Sequence, residues 1–257
     1  VSLPATVQAT IAARIDRLDP AAKRSLSAAA VIGAKFSRDL LQTLGIEPAL
    51  EELARGQFID QVAAHANMDT PTAEFVFHHP LIRAVAYESQ LKADRAELHR
   101  RLAAAIEQRD PASAEEHAAL IAEHLGAAGD LHAAYDWHMR AGRWSTFRDI
   151  GAAKTNWQQA RKIADQLPAN DPKRVAMQIA PRTLLCGNAY RIGGTVADTG
   201  FDELRDLCAA AGDKSSLAIG MTGFLMALTY NDRITESARL AGECAALIDS
   251  TGEPALV

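Results

Sequence analysis

Few residues in this chain have types and spacings suited to chemistry. The first are adjacent, His78 and His79, directly ahead of Pro80. Proline suits the first position of a helix, because its missing N–H would be unbonded there anyway. His79 therefore stands at a helix head, where an imidazole can cap the exposed amides or pack at a junction. The second set is Glu116-His117 and Glu123-His124, seven residues apart. On one helix that spacing holds the histidines about 10 Å apart along the axis, too far to share one zinc. Gly212-Asp213-Lys214-Ser215 has the lysine and serine of a phosphate loop. It lacks the Gly-Lys adjacency, the earlier glycine and the preceding strand, so an N–H cradle cannot form. Gly193-Gly194 fails on the same ground. Neither His-Glu-x-x-His nor Gly-x-Ser-x-Gly occurs, and no nucleophile–base pairing is visible. These residues suit binding rather than turnover, and no metal site is expected.

The elements that must position His78 and His79 fall into a small module, residues 1–91. Val7, Ile11, Ile15 and Leu18 share one face of a leading helix, with Arg14 and Arg17 to its side. Asp19-Pro20 reads as an N-cap and first-turn proline, and Gly33 stops the second helix. Ser37 caps a short third helix, Arg38–Leu44, which Gly45 ends. Pro48 opens a fourth, Ala49–Arg55. The period then changes to two, with Phe58, Asp60 and Val62 set against Ile59 and Gln61. A polar loop, His65–Thr72, leads to a second strand, Glu74–Phe77. The helix opened by Pro80 presents Leu81, Val85 and Ile82. Helices followed by a short β-hairpin make the plan of a winged helix. The fourth helix, in the recognition position, carries Glu47, Glu51 and Glu52 against Arg55. Carboxylates there repel phosphates, so the module is not expected to read DNA.

Residues 92–257 read as Ala-rich amphipathic helices. Lys92–Arg109 has Leu91, Leu98, Leu102 and Ile106 along one face, and Asp110-Pro111 breaks it. The basic cluster Lys92, Arg95, Arg100 and Arg101 reads as a solvated face. Ser113 and Glu116 suggest a capping box for a helix running to Leu125. Asp130 caps a helix carrying Tyr135, Trp137 and Met139. Ala153-x-x-x-Trp157-x-x-Ala160 has the small–aromatic–small spacing of the second helix of a tetratricopeptide repeat, and Ala134, His138 and Ala141 repeat it more weakly. Trp137, Trp144 and Trp157 read as inter-helix core. A helix through Val175, Ile179, Leu184 and Leu185 contains Pro181, which predicts a kink or break. Gly193–Gly200 reads as a loop. Phe201–Ala211, Leu217–Tyr230 and Ile234–Ile248 complete the series, separated by Gly212-Asp213 and Asn231-Asp232. The fold class is mainly α: a small winged helix with a short β-hairpin, then a tetratricopeptide-like solenoid.

Composition narrows the class further. Of 257 residues, 48% are apolar and only 5% aromatic, so the core must be built from Ala, Leu, Ile and Val. Net charge is −5, which gives no bulk attraction to nucleic acid or anionic membrane. Cys186, Cys208 and Cys244 lie far apart with no ligand spacing, as in a reduced cytoplasmic protein. No apolar run approaches 18 residues. The chain starts at Val1 and stops just after Thr251-Gly252-Glu253-Pro254, and both ends read as cuts through a longer protein.

Several short patterns carry a resemblance. They are Ile11-Ala-Ala-Arg14-Ile-Asp-Arg-Leu18-Asp19-Pro20, Ser27-Ala-Ala-Ala-Val31-Ile-Gly33-Ala-Lys-Phe36 and Phe77-His-His79-Pro80-Leu-Ile-Arg83-Ala-Val-Ala-Tyr87. Together they resemble the region after the ATPase module of bacterial signal-transduction ATPases with numerous domains. His124-Leu-Gly-Ala-Ala-Gly-Asp130 and Ala133-Ala-Tyr-Asp-Trp137 look like the first repeat after the winged helix in the same family. The match covers most of residues 3–145 and includes no catalytic signature. In that family a nucleotide cyclase domain often precedes the ATPase, or a LuxR-type DNA-binding domain follows the repeats.

The resemblance implies a non-catalytic regulatory and protein-interaction region that restrains an upstream ATPase, and with it a cyclase. The alternative is part of a LuxR-type transcription regulator. ATP or ADP with Mg is expected on the upstream module, not here. His79, in its Phe-x-His-Pro setting, would contact the nucleotide phosphate in the off state, and Arg14 would reach the nucleotide or its module. The implied partners are that ATPase module in the same chain and an unidentified protein or small ligand on the repeat arm. No DNA or membrane contact is expected of this region.

Overall fold

In the computed structural model the described residues are 5–62, 73–109, 111–193 and 195–252. The predicted polar loop His65–Thr72, Asp110, Gly194 and the terminal Glu253-Pro254 lie outside them. The chain is mainly helical with a small three-stranded antiparallel sheet. It divides into two compact units: Val1–Pro111 with Ala127–Gly129, and Ala112–Gly126 with Asp130–Val257.

The first unit begins with α1, Ala5–Asp16, and α2, Pro20–Ile32. Asp19 caps α2 by accepting the Ala22 amide at 2.8 Å, and Pro20 sits in the first turn. A strand β1, Lys35–Ser37, precedes α3, Arg38–Thr43, whose cap is the Ser37 hydroxyl. Then come α4, Leu50–Arg55, and the strands β2, Ile59–Val62, and β3, Glu74–Phe77. The helix α5, Pro80–Glu88, follows directly, and α6, Lys92–Arg109, completes the unit's helices.

The expected two-stranded hairpin is corrected to three strands, in the order β1-β3-β2. Phe36 explains the extra strand. It lies opposite Phe75 in the register, stacks on its ring at 5.9 Å and meets Phe77 at 5.7 Å. Burying one such ring is worth about 1.5–3 kcal/mol, enough to hold a three-residue strand to β3. The alternation expected around Phe58 is also corrected: Phe58 and Ile59 are both buried, and Asp60 and Gln61 are both exposed.

Two helix faces are turned from their expected positions. In α5 the buried stripe is Ile82 and Ala86, one turn apart, with Leu81 and Val85 partly covered beside it. In α6 the buried residues are His99, Leu102 and Ala103, while Leu91 precedes the helix and is 71% exposed. Val7 on α1 is likewise outside the core, which takes Ile11 and Ile15.

The second unit is a series of paired helices: α7, Ala118–Ala127; α8, Leu131–Ser145; α9, Ile150–Gln166; α10, Arg174–Gly187; α11, Ala189–Ile192; α12, Phe201–Ala211; α13, Lys214–Tyr230; and α14, Ile234–Thr251. The predicted capping box at Ser113 is corrected. Pro111–Ser113 is a 3-10 turn and α7 starts only at Ala118. Glu115 is drawn instead to Arg140, whose Nε and Nη2 donate to its carboxylate at 3.0 and 2.6 Å. His117 therefore lies before the helix, not on one face with His124. The helix α10 runs through Pro181 without a break.

Packing between α8 and α9 depends on one close approach. Trp157 is 1% exposed, between the fully buried Ala153 and Ala160. Its indole nitrogen and Cδ1 lie where a side chain at Gly142 would begin, so only glycine fits there. Beside it His138 donates from Nδ1 to Asn156 Oδ1 at 2.9 Å, while the Asn156 amide nitrogen donates to Ala152 O. Burial holds the His138 imidazole below its ordinary pKa of 6.5. Cys186, Cys208 and Cys244 are buried free thiols; burial pushes Cys186 up to about 12 and Cys208 to about 11.

Candidate functional site

Pro80 and the Phe-Val-Phe strand fix the head of α5, and the head of α5 fixes His79. Its Nδ1 accepts the Leu81 amide at 3.1 Å, making it the N-cap of the helix. Since Nδ1 accepts, the neutral ring carries its proton on Nε2, a donor at an exposed position. His78 is turned the other way. Its backbone N–H donates to Phe58 O at 3.0 Å, and its Nδ1 lies 2.9 and 3.0 Å from the two Asp60 carboxylate oxygens. That pair ties the end of β3 to β2.

Arg14 reaches the same neighbourhood from α1. Its Nη2 donates to Gly56 O at 2.7 Å and its guanidinium lies over the Phe58 ring at 4.8 Å. Thr6, Val7, Thr10, Ile11, Arg14, His78, His79, Leu81 and Ile82 line one open groove of about 460 Å³ along α1 and the head of α5. The structure thus brings together the two residues singled out in the sequence, His79 and Arg14, with His78 beside them. What the groove offers is an apolar floor, one imidazole donor and one guanidinium. It holds no base–nucleophile pair.

The helix α4 carries the acidic surface that the sequence suggests. Glu51 accepts from Arg38 at 2.6 Å, and its own backbone N–H together with Arg38 holds its carboxyl below the ordinary range. Glu52 faces Asp19: the hydrogen bond between the two carboxyls raises Glu52, while the Ala22 amide and Glu52 lower Asp19. Glu51 is thus matched by Arg38, Glu52 shares a hydrogen bond with a second carboxyl, and α4 itself carries no cation but Arg55.

One charged residue of the second unit has no precedent in the sequence reading. Arg182, on α10, is 5% exposed. Its Nη2 donates to both oxygens of Asp165 at 3.0 Å and to Glu203 at 2.9 Å, and its Nη1 to Gln178 O at 3.0 Å. Arg161 reaches the other Glu203 oxygen at 2.8 Å. Burial works against the Arg182 charge, but the hydrogen bonds it donates to Glu203 and Asp165 outweigh that and raise its pKa. The Arg182 bond in turn lowers Glu203. A lone arginine in a helix gives no signal until α9 and α12 bring carboxylates to it.

The other candidate positions are structural. Gly212 takes a left-handed turn at φ 70° and Asp213 caps α13 through the Ser216 amide, so the inter-helix turn is Gly212-Asp213, and Lys214 and Ser215, expected to belong to it, open α13 instead. Thr195 and Asp198 form a capping box for the 3-10 turn Val196–Thr199, inside the stretch expected to be a loop. Arg95 is not merely solvated: it donates to Tyr87 O at 3.0 Å and covers the Tyr87 ring at 4.4 Å. Among the described residues no group of three metal-ligating side chains assembles, and no helix is long and apolar enough to cross a membrane. No family model, curated protein or solved structure matches the chain.

Proposed function

We propose that this chain is a non-catalytic regulatory and protein-interaction region of a cytoplasmic multidomain signalling ATPase, of the kind its short motifs resemble. The observation that carries this reading is the groove in which His79 and Arg14 lie together. Its apolar floor suits docking of a protein module. The Nε2 proton of His79 suits a phosphate oxygen of a nucleotide held by that module, as a charge-assisted donor. Arg14, engaged at Gly56 O and Phe58, supplies a fixed positive charge beside it. Loss of the docked arrangement would release the upstream ATPase, and a cyclase coupled to it. A partner on the second unit controls this only by binding one arrangement more tightly than the other.

The order of elements supports a winged-helix reading of the first unit: helix α2, strand β1, helices α3 and α4, then the paired strands β2 and β3. The interlocked α8 and α9, with Ala153, Trp157 and Ala160 buried between them, support a tetratricopeptide-like reading of the second. Carboxylates on α4, where a reader of DNA needs cations, argue against a role in base readout.

Two measurements on the purified chain test the reading. It is expected to show neither ATP hydrolysis nor cyclase turnover; turnover by the pure chain overturns the proposal. In a gel-shift titration over a range of salt, weak and salt-insensitive retention is expected. Tight binding that falls steeply with salt assigns the chain to a transcription regulator instead.

A further inference from the structure

His138, on α8, is a buried titratable group that the groove around His79 does not use. It is 6% exposed. The Asn156 amide nitrogen donates to Ala152 O at 2.9 Å, which turns Oδ1 toward the imidazole as an acceptor. His138 Nδ1 therefore carries the ring proton, and burial keeps the ring neutral by holding its pKa below 6.5. Nε2 is left with a bare lone pair, so it accepts and does not donate. No described residue donates to it. It is not sealed in either. The fully buried side-chain atoms without a partner are Gln90 Oε1, Trp157 Nε1, Arg174 Nε and Arg182 Nε, and His138 Nε2 is not among them. The accessible edge of the ring lines a groove of about 570 Å³ between α7 and α9, within the range of about 300–1,000 Å³ typical of small-molecule sites. An acceptor held in one orientation at such a groove calls for an N–H or O–H donor.

The rest of the lining narrows the class. Glu123, on α7, lines the same groove and lies near enough to His138 to favour positive charge there. It makes no ion pair with any described residue, and Lys162, the one lysine or arginine of the lining, is likewise unpaired. A free carboxylate and a bare imidazole nitrogen thus stand near one another, two acceptors with no donor of the protein between them. A neutral alcohol would leave the carboxylate without a counter-charge, and a quaternary ammonium would leave Nε2 without a hydrogen. A primary ammonium supplies both, having one charge and three N–H donors. A zinc ion would find two ligands but no third, since no group of three metal-ligating side chains assembles among the described residues. Ala119, Ala122, Leu131 and Ile163 give the groove apolar wall, which suits a methylene chain behind the charged head.

We infer that the groove between α7 and α9 binds a linear primary alkylammonium, its N–H donors on His138 Nε2 and the Glu123 carboxylate and its methylenes along the apolar wall. The inference does not depend on the ATPase reading and is tested on the chain itself. The probe is pentylammonium, titrated by calorimetry, with 1-pentanol lacking the charge and pentyltrimethylammonium lacking the N–H donors. Expected is saturable one-to-one binding of pentylammonium with a dissociation constant of about 1 mM or tighter, which a ligand of so few atoms can reach. Both control ligands should bind about tenfold more weakly or worse. Cadaverine and Nα-acetyl-lysine methylamide separate the two sources of this chemistry: tighter binding of the first assigns the groove to a free diamine, and of the second to a lysine side chain of a partner. Glu123→Gln, at an exposed position, should weaken pentylammonium about tenfold. Lys162→Gln should leave the affinity unchanged or raise it. His138→Phe removes Nε2 and should weaken binding about tenfold; because it also strands Asn156 Oδ1, its fold is checked by circular dichroism, and Glu123→Gln with the control ligands decides the matter if it fails to fold. The inference is overturned if pentylammonium does not saturate by about 10 mM, if pentyltrimethylammonium binds as tightly, if Glu123→Gln leaves the affinity unchanged, if Lys162→Gln weakens it, or if zinc binds more tightly and displaces the amine.

Discussion

Removing the carboxylates around Arg182 should harm the second unit more than removing Arg182 itself. The arginine is 5% exposed, whereas the side chains of Asp165 and Glu203 are 38% and 45% exposed. In Arg182→Met the carboxylates turn to water, and the methionine fills the volume of the lost stem. A well-packed apolar replacement of a buried charge is often neutral, so the cost should be about 0–2 kcal/mol. In the double variant Asp165→Asn with Glu203→Gln, the guanidinium stays buried with no counter-charge. Stranding a buried charge costs about 3–5 kcal/mol. The amide oxygens still accept hydrogen bonds and the site is partly solvated, which argues for the lower end, about 3 kcal/mol. Urea unfolding followed by circular dichroism should therefore place the double variant at least about 1–2 kcal/mol below Arg182→Met. The pH dependence has a defined sign. Arg182 lowers Glu203 in the folded chain, so this stabilisation is present above the ordinary glutamate value of 4.5 and is lost as pH falls through the lowered folded value. If Arg182→Met is the more damaging change, the network is not the buried-cation arrangement described above.

Two further perturbations test the packing. Gly142→Ala places a methyl group on the indole of Trp157, a ring that is itself 1% exposed. The gain in helix propensity, about 1 kcal/mol, is outweighed by overpacking of about 1–3 kcal/mol or more, so the variant should melt several degrees lower in calorimetry. Burial lowers His138, so its contribution to stability is fully present above its ordinary value of 6.5 and declines as pH falls below it, because the unfolded chain then takes the proton. Thermal melts should show the wild type losing stability toward acid more steeply than His138→Gln between about pH 7 and about pH 5.5. Parallel curves would mean that His138 does not control this window.

Local chemistry with strong punctuation was legible in the sequence. Pro80 after Phe-Val-Phe placed β3 and α5 to the residue, and Asp19-Pro20, Ser37 and Gly212-Asp213 marked helix ends that the hydrogen bonds reproduce. Features decided by distant residues were not. The strand Lys35–Ser37 has one apolar residue, and it is a strand because Phe36 finds Phe75 and Phe77. Glu115, just ahead of α7, is paired with Arg140, 25 residues on, which no local pattern announces. Pro181 looks like a breaker, yet α10 continues through it, with Ile179 and Cys186 buried on either side. Of the groove, His79 was legible because a proline fixed it at a helix head. The Arg182 network was not, since Asp165, Arg182 and Glu203 lie on three different helices and carry no common spacing.

On the proposed reading, the most direct test is the basal ATP turnover of a longer chain in which this region follows an ATPase module, compared between wild type and His79→Asn. Asparagine is a good N-cap, so the head of α5 and the melting temperature should be kept while the Nε2 donor is lost. The account predicts a turnover raised several-fold without an inducing partner. Turnover equal to that of the wild type, with the fold intact, would mean that His79 is a helix cap and nothing more, and the proposed docking role of the groove would be contradicted.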